Sequence, residues 1–436
     1  MQKIIRALSG PVQAKINIPG SKNITQRALL IAALANGVSE ISGLYINQST
    51  RIFVRALHQL GIVTQLDEKT QSCIIAGGNG KVPKTQATLW CQHVGIMTHF
   101  LIAACATSTG VYYFDGPSAL YAKTLPLLDI LYRHNVQLIP SEQRQLPFTL
   151  MGADGLEGSE IILHSAFQHQ LISTLLLIAP YARSPFTFTA TSTEFSHYQS
   201  HVDMTCSVMA DFGVLVHRIH QGQWLVPIPQ RYQPKDYIIE PDFNFAIYFF
   251  AACAINGGHL TIQPTKRNQS KQANSKFLSM LEKMGCKILE THTGLTVKSE
   301  QPLQGLEVSL RDFSDIFLAL CIIAPFATTP TRIMHATAPT QKELARFTAL
   351  KNSLIQIGVQ VESGQHWLKI YPCTSPSSLK GIVSTSTDYK IAMALSILGL
   401  KIPQMVIENS DCILKRYPLF FTYLEQIVNA EVKLQI

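Results

Sequence analysis

The sequence predicts an α/β protein built from six copies of one helix–strand unit, grouped three and three into two domains. Two markers recurring with the same period predict it. In the first, a helix-like stretch ends in Gly or Asn and runs into a short alternating segment, at Gly61, Asn135, Gly213, Gly285, Gly358 and Asn429, with spacings of 74, 78, 72, 73 and 71. In the second, an almost wholly apolar, helix-length segment ends at Ala35, Ala106, Ala182, Ala254, Ala327 and Leu400, with spacings of 71, 76, 72, 73 and 73. A fixed period that accounts for all 436 residues marks a repeat architecture.

Each unit carries the same elements in order. A polar start leads into a helix apolar all round, which must be buried. An alternating segment follows, with turns such as Gly77-Gly78-Asn79-Gly80 or Asn256-Gly257-Gly258, and reads as strand. A second helix carries polar residues such as Arg55, Arg133 or Lys283 and can face water. Gly or Asn just past that helix reads as its left-handed cap, and strand resumes. No unit can bury its own apolar helix alone, so the units must pack in groups.

Composition narrows the function. The chain is 47% hydrophobic, and 36 Lys and Arg against 28 Asp and Glu leave a net charge of +8 spread thinly over only 15% charged residues. No basic run is interleaved with aromatics, which excludes a nucleic-acid partner and favours anionic small molecules. The nine cysteines are scattered without a Cys-x-x-Cys pair, so neither a disulfide framework nor a metal site is expected, and most read as reduced core residues. The longest apolar runs, 245–255 and 316–327, are 11 and 12 residues, against the roughly 20 a membrane span needs. The expected protein is cytoplasmic and monomeric, with no membrane partner.

The starts of the six apolar helices hold the chemistry. They are Ser21-Lys22-Asn23-Ile24-Thr25-Gln26-Arg27, Gln92-His93-Val94-Gly95, Gln168-His169-Gln170, Asp242-Phe243-Asn244, Asp312-Phe313-Ser314-Asp315 and Ser386-Thr387-Asp388-Tyr389-Lys390. Ser, Thr, Asp and Asn there read as N-caps. Lys22, Arg27 and Lys390 do not, because a cation in the first helical turn opposes the helix dipole, a cost expected where an anion sits at the terminus. Two further clusters add charge: Glu343 and Arg346, three apart in Lys342-Glu343-Leu344-Ala345-Arg346, and Lys415-Arg416 ahead of Tyr417-Pro418.

Four of these segments resemble one family. Pro19-Gly20-Ser21-Lys22-Asn23-Ile24-Thr25-Gln26-Arg27, Lys342-Glu343 with Arg346, Asp388-Tyr389-Lys390-Ile391-Ala392-Met393 and Lys415-Arg416-Tyr417-Pro418-Leu419-Phe420-Phe421 are similar, in order, to signatures of the enolpyruvyl transferases, and among them of the 5-enolpyruvylshikimate-3-phosphate synthases. The resemblance implies six βαβαββ-type repeats, three per domain, with helix N-termini facing the interdomain cleft. It divides the chain into 1–20 with 243–436, and 21–242. It implies transfer of the enolpyruvyl group of phosphoenolpyruvate to the 5-hydroxyl of shikimate 3-phosphate, a step of the shikimate pathway toward chorismate and the aromatic amino acids, without metal or cofactor.

On matching positions the resemblance makes Asp315 the base, Glu343 the proton donor and Lys22 a partner to both substrates. Arg346, Lys390 and Lys415 clamp phosphoenolpyruvate and Gly95 leaves room beside it. Arg27, Gln170 and Lys342 face the phosphorylated acceptor, Asn23 binds substrate where the family has a serine, and Lys123 stands next to Ala122, where the family has an arginine. Other departures are His99 in an arginine place, Gln168-His169 for two serines, Tyr198 and His201 for a serine and a tyrosine, and Ala338 for an asparagine. Two alternatives stay open: transfer to a different anionic alcohol, and a non-catalytic homologue that binds ligand without turnover. Asn23 is similar to the Lys-Asn pair of the UDP-N-acetylglucosamine enolpyruvyl transferases, although the stretch 111–125 has no cysteine where that family carries its reactive one.

Overall fold

The computed structural model describes residues 2–91, 95–117, 121–140, 146–164, 169–191, 199–263, 267, 270–292, 294–310, 315–335, 341–375, 379 and 381–432. They form six small sheets: five of four strands and one of three. The repeat is clearest in one stretch. Strands Gln86–Trp90 and Val111–Asp115 pair in parallel, so the chain between them must cross over, and it does so through the helix Ile96–Ala106. A second helix, Tyr121–Arg133, leads to Gln137–Ile139 and Phe148–Met151, which pair antiparallel with each other, and Phe148–Met151 completes the sheet against Val111–Asp115. The order is βαβαββ, and it recurs from Glu160 to Val226 and from Glu307 to Ile370.

The other three repeats are completed by strands from far along the chain. Val12–Asn17 pairs in parallel with Gly258–Gln263, Tyr237–Ile238 with Val38–Ser42, and Lys3–Ile4 lies antiparallel to Val406–Glu408. The chain falls into two compact units: Met1–Ile18 with Pro241–Ile436, and Pro19–Glu240. Each contains three of the sheets and its own core.

Six buried helices build those cores: α1 (Lys22–Leu34), α2 (Ile96–Ala106) and α3 (His169–Ile178) in the second unit, and α4 (Phe243–Asn256), α5 (Asp315–Ile323) and α6 (Tyr389–Leu398) in the first. Within each unit the three pack on one another. In α4, 12 of 14 residues are buried, so the helix that no single repeat could cover is enclosed by its neighbours.

The caps follow from the backbone. Gly61, Asn135, Gly213, Gly285 and Gly358 all have positive φ, between 65° and 103°. After each, the next N–H reaches back five residues to a helical carbonyl: Ile62 to Leu57, Val136 to Leu131, Val214 to Met209, Cys286 to Leu281 and Val359 to Leu354, at 2.9–3.1 Å. That is the Schellman closure, which needs a left-handed residue that Gly or Asn supplies cheaply. Asn429 departs from the expectation. It lies inside the helix Phe420–Val432, since the sixth repeat has no hairpin to enter and its sheet is finished by Lys3–Ile4 instead. Among the described residues no helix is long and apolar enough to cross a membrane.

Candidate active site

In the first unit, the second turn of α4 and the starts of α5 and α6 meet around one carboxylate. Asp315 opens α5 and is 3% exposed. Its Oδ2 accepts a hydrogen bond from Lys390 Nζ at 2.6 Å, and its Oδ1 accepts one from the Tyr248 hydroxyl at 2.7 Å. Lys390 stands in the first turn of α6, and its charge is spent on Asp315 rather than on its own helix terminus. Asp388 caps that terminus, Oδ1 accepting from Lys390 N at 2.9 Å, while its Oδ2 takes Arg346 Nε at 2.7 Å. Burial alone would lower the pKa values of the Lys390 ammonium and the Arg346 guanidinium, but the facing carboxylates outweigh it and both are raised. Both side chains are cations throughout the neutral range.

The C-terminal motif sets the other wall. Tyr417 stacks on Phe245 with ring centroids 4.7 Å apart, and Phe420 packs on Phe249. This anchoring leaves Lys415 and Arg416 on the surface, where with Arg346, Thr387, Asp388, Tyr389, Asn409, Asp411 and Cys412 they line a recess of about 460 Å³. Glu343 is half-buried in the first turn of the helix Gln341–Gln356, three residues ahead of Arg346. Three cations from two segments of sequence, Arg346 and the pair Lys415-Arg416, thus share a rim with the carboxylates Asp388 and Asp411.

In the second unit, Lys22 is half-buried at the start of α1 and lines a small recess with Gln26, Trp90, Gly95 and Thr98. Among the described residues nothing lies within 4 Å of where a side chain on Gly95 would begin. Asn23 is half-buried next to Lys22; Lys123 and Gln170 are exposed in the first turns of their helices.

Arg27 corrects the sequence reading. It is the sixth residue of α1, in the second turn rather than the first, and it is 2% exposed. Its guanidinium donates to Thr205 Oγ1 at 2.7 Å, Asn23 O at 2.9 Å, Ser173 Oγ at 3.3 Å and His201 O at 3.4 Å, joining α1 and α3 to the helix Gln199–Asp211. Burial among neutral acceptors lowers its pKa to about 10, so it stays charged at neutral pH. Arg27→Ala is expected to cost about 3 kcal/mol, because the acceptors it satisfies would be left buried and unpaired; urea unfolding of wild type and variant measures this.

His99 does not reproduce the arginine it replaces. It is 6% exposed, Nε2 lies 3.0 Å from Lys123 O, and the buried Nδ1 has no hydrogen-bond partner among the described residues. Burial lowers its pKa to about 4, leaving a neutral ring at physiological pH. An imidazole neutral in the fold but protonated when unfolded leaves stability intact above about pH 6.5 and withdraws it as pH falls toward 4, by about 3 kcal/mol in all. His99→Gln should flatten the stability profile across that window, read as urea midpoints at several pH values.

His93, Val94, Gln168, Tyr198 and Ala338, together with Asp312, Phe313 and Ser314, lie outside the described residues, as do the side chains of Ala122, His169 and Lys342. Two features of the site escaped the motifs: Tyr248, and the pairing of Asp388 with Arg346. A signal for Tyr248 was present, since a lone hydroxyl in the apolar run 245–255 must find a buried partner. Among the described residues no group of three or more His, Cys, Asp or Glu side chains is placed to hold a metal ion.

The family model for EPSP synthase (3-phosphoshikimate 1-carboxyvinyltransferase) matches residues 7–424. The chain belongs to the EPSP synthase family. Among curated members, a 3-phosphoshikimate 1-carboxyvinyltransferase of Trichormus variabilis is 35% identical over 421 residues, covering 96% of this chain and 97% of the relative. One from Nostoc punctiforme is 35% identical over 427 residues, covering 97% and 98%. Of solved structures, EPSP synthase from Acinetobacter baumannii superposes with a TM-score of 0.79 at 17% identity, over 97% of both chains. The enolpyruvyl transferase NikO from Streptomyces tendae gives 0.71 at 16% identity, over 98% of this chain and 96% of that one. At such identities the structural likeness concerns the fold, which is the two-domain fold of the EPSP synthase family.

Proposed function

We propose that the chain transfers the enolpyruvyl group of phosphoenolpyruvate to the 5-hydroxyl of shikimate 3-phosphate and releases phosphate. The observation that carries this reading is a buried carboxylate, Asp315, set beside cations in a chain matched by the family from residue 7 to 424. Curated relatives bearing the name 3-phosphoshikimate 1-carboxyvinyltransferase across nearly the full length support the acceptor. They favour it over another anionic alcohol and over a silent homologue.

The chemistry needs a base, an acid and anion holders. Asp315 takes the proton of the acceptor hydroxyl, whose oxygen pair forms a bond to C2 of phosphoenolpyruvate. Glu343 gives a proton to C3, and a tetrahedral intermediate results. Glu343 then takes a proton back from C3, restoring the double bond as the C2–O bond to phosphate breaks, and the proton held by Asp315 leaves with the phosphate. Lys22, Arg346, Lys390 and Lys415 neutralise the carboxylate and phosphate of phosphoenolpyruvate, and Gly95 leaves room for it. Asn23, Arg27, Lys123, Gln170 and Lys342 meet the phosphorylated acceptor, Arg27 as a buried positive charge that also ties α1 and α3 to the helix Gln199–Asp211. Lys at 390 holds a carboxylate through one ammonium rather than a guanidinium fork, so it can change partners more readily.

The test is phosphate release from phosphoenolpyruvate by the purified chain, with and without shikimate 3-phosphate and with other anionic alcohols. Release that requires shikimate 3-phosphate supports the reading. Release with another alcohol alone would replace the acceptor.

A further inference from the structure

Resting on the reading of Asp315 as the base, the geometry around it raises a question of access. Both carboxylate oxygens are engaged, Oδ1 by Tyr248 and Oδ2 by Lys390. Each oxygen keeps a second lone pair, but a donor held on it draws electron density away and makes it a weaker base, so the proton is taken most readily by an oxygen whose donor has left. Tyr248 is fully buried in α4, with few rotamers open to it, and among the described residues Asp315 is the hydrogen-bond partner of its hydroxyl. Lys390 sits on a flexible four-carbon stem, its side chain 22% exposed, and an anionic substrate offers it a second partner.

We propose that Tyr248 is a positioning residue for the base: it holds Oδ1 throughout the reaction, so that Oδ2, vacated when Lys390 turns to the anionic substrate, is the atom that accepts the hydroxyl proton. The acceptor O–H bond breaks, a new O–H bond forms on Oδ2, and the electron pair left on the substrate oxygen makes the C–O bond. Anion binding thereby frees the base, and the base stays covered until phosphoenolpyruvate is present. The charged and titratable groups facing this centre are Tyr248 from α4, Asp388, Tyr389 and Lys390 from α6, and Arg346 from the helix Gln341–Gln356. Burial, then the adjacent Asp315 charge, push the Tyr248 phenol well above its ordinary range, so it remains a donor at every working pH.

Tyr248→Phe removes one oxygen atom and keeps the ring. Its kcat should fall about tenfold with both KM values within about twofold, the worth of one hydrogen bond to a charged group. A carboxylate that loses a donor is protonated more readily, so the acidic limb of the kcat/KM profile should move to higher pH by about one unit. A merely structural tyrosine would lower the melting temperature and leave that limb in place. The same displacement should appear without turnover, in the ¹³C titration of the Asp315 carboxyl, assigned by its absence in Asp315→Asn. A wild-type chain that fails to release phosphate would count against the proposed function, whereas an unmoved limb and an unmoved carboxyl titration in Tyr248→Phe would overturn the positioning role alone. A structure with phosphoenolpyruvate bound decides the exchange: Lys390 Nζ should lie beyond hydrogen-bond reach of Oδ2, and an unchanged ion pair would refute it.

Discussion

Asp315→Asn is expected to lower kcat about a thousandfold, the middle of the range for removing a positioned general base. Asn is nearly isosteric, but it carries no charge and cannot take a proton. The loss should therefore fall on kcat, with KM for either substrate changing by less than about threefold. The amide also disturbs the ground state. Lys390 loses its carboxylate, and one of the two donors now facing the side chain meets an N–H, so stability should drop by about 1–3 kcal/mol. Steady-state kinetics with urea unfolding on the same preparations separates the two effects. A variant that unfolds at the wild-type midpoint and turns over within tenfold of wild type would remove Asp315 from the base role.

The second large effect is expected at Arg346. Its Nε–Oδ2 bond to Asp388 is 2.7 Å, with side chains 12% and 18% exposed. Arg346→Ala strips one cation from the recess and leaves the α6 cap without its counter-ion. Affinity for phosphoenolpyruvate should weaken about a hundredfold, as for truncating one partner of a desolvated charge contact. Stability should fall by about 2 kcal/mol, less than for a fully buried pair because solvent reaches this one. Arg346→Lys should recover stability only in part, since the planar guanidinium serves Asp388 and the anion at once. Titration of phosphoenolpyruvate binding by calorimetry, with thermal melts of the three proteins, checks both numbers. Equal affinity in wild type and Arg346→Ala would place the anion elsewhere.

Much of the fold was legible because its two markers have local causes. A helix apolar on all sides is visible in composition alone, and a left-handed cap needs Gly or Asn, so five of the six cap positions match the backbone. The sixth, Asn429, was misread because nothing in its neighbourhood tells that the last repeat ends in a helix; that depends on a strand at Lys3–Ile4, some four hundred residues away. The swapped strands at Val12–Asn17 and Tyr237–Ile238 were hidden for the same reason, being tertiary pairings without a local signature.

The site was legible as a set of charges and illegible as a set of pairs. Lys390 stood out because a cation in the first turn of a helix opposes the dipole, and Asp315, Arg346 and Lys415 because they fall on positions of the family resemblance. Which carboxylate meets which cation is set by packing among α4, α5 and α6. The sequence therefore could not say that Lys390 rests on Asp315, or that Asp388 divides its oxygens between a cap and Arg346. Arg27 was misplaced by one helical turn, and its contacts could not be read because its partners, Thr205 and Ser173, lie 178 and 146 residues away.

The measurement that bears most directly on the account is the mass of the product formed from shikimate 3-phosphate and phosphoenolpyruvate labelled with ¹³C in its three carbons. The account predicts one new species, shikimate 3-phosphate carrying a labelled enolpyruvyl group, formed mole for mole with phosphate and lost in Asp315→Asn. Phosphate appearing without that species, or the label settling on a different alcohol from a mixture, would contradict it.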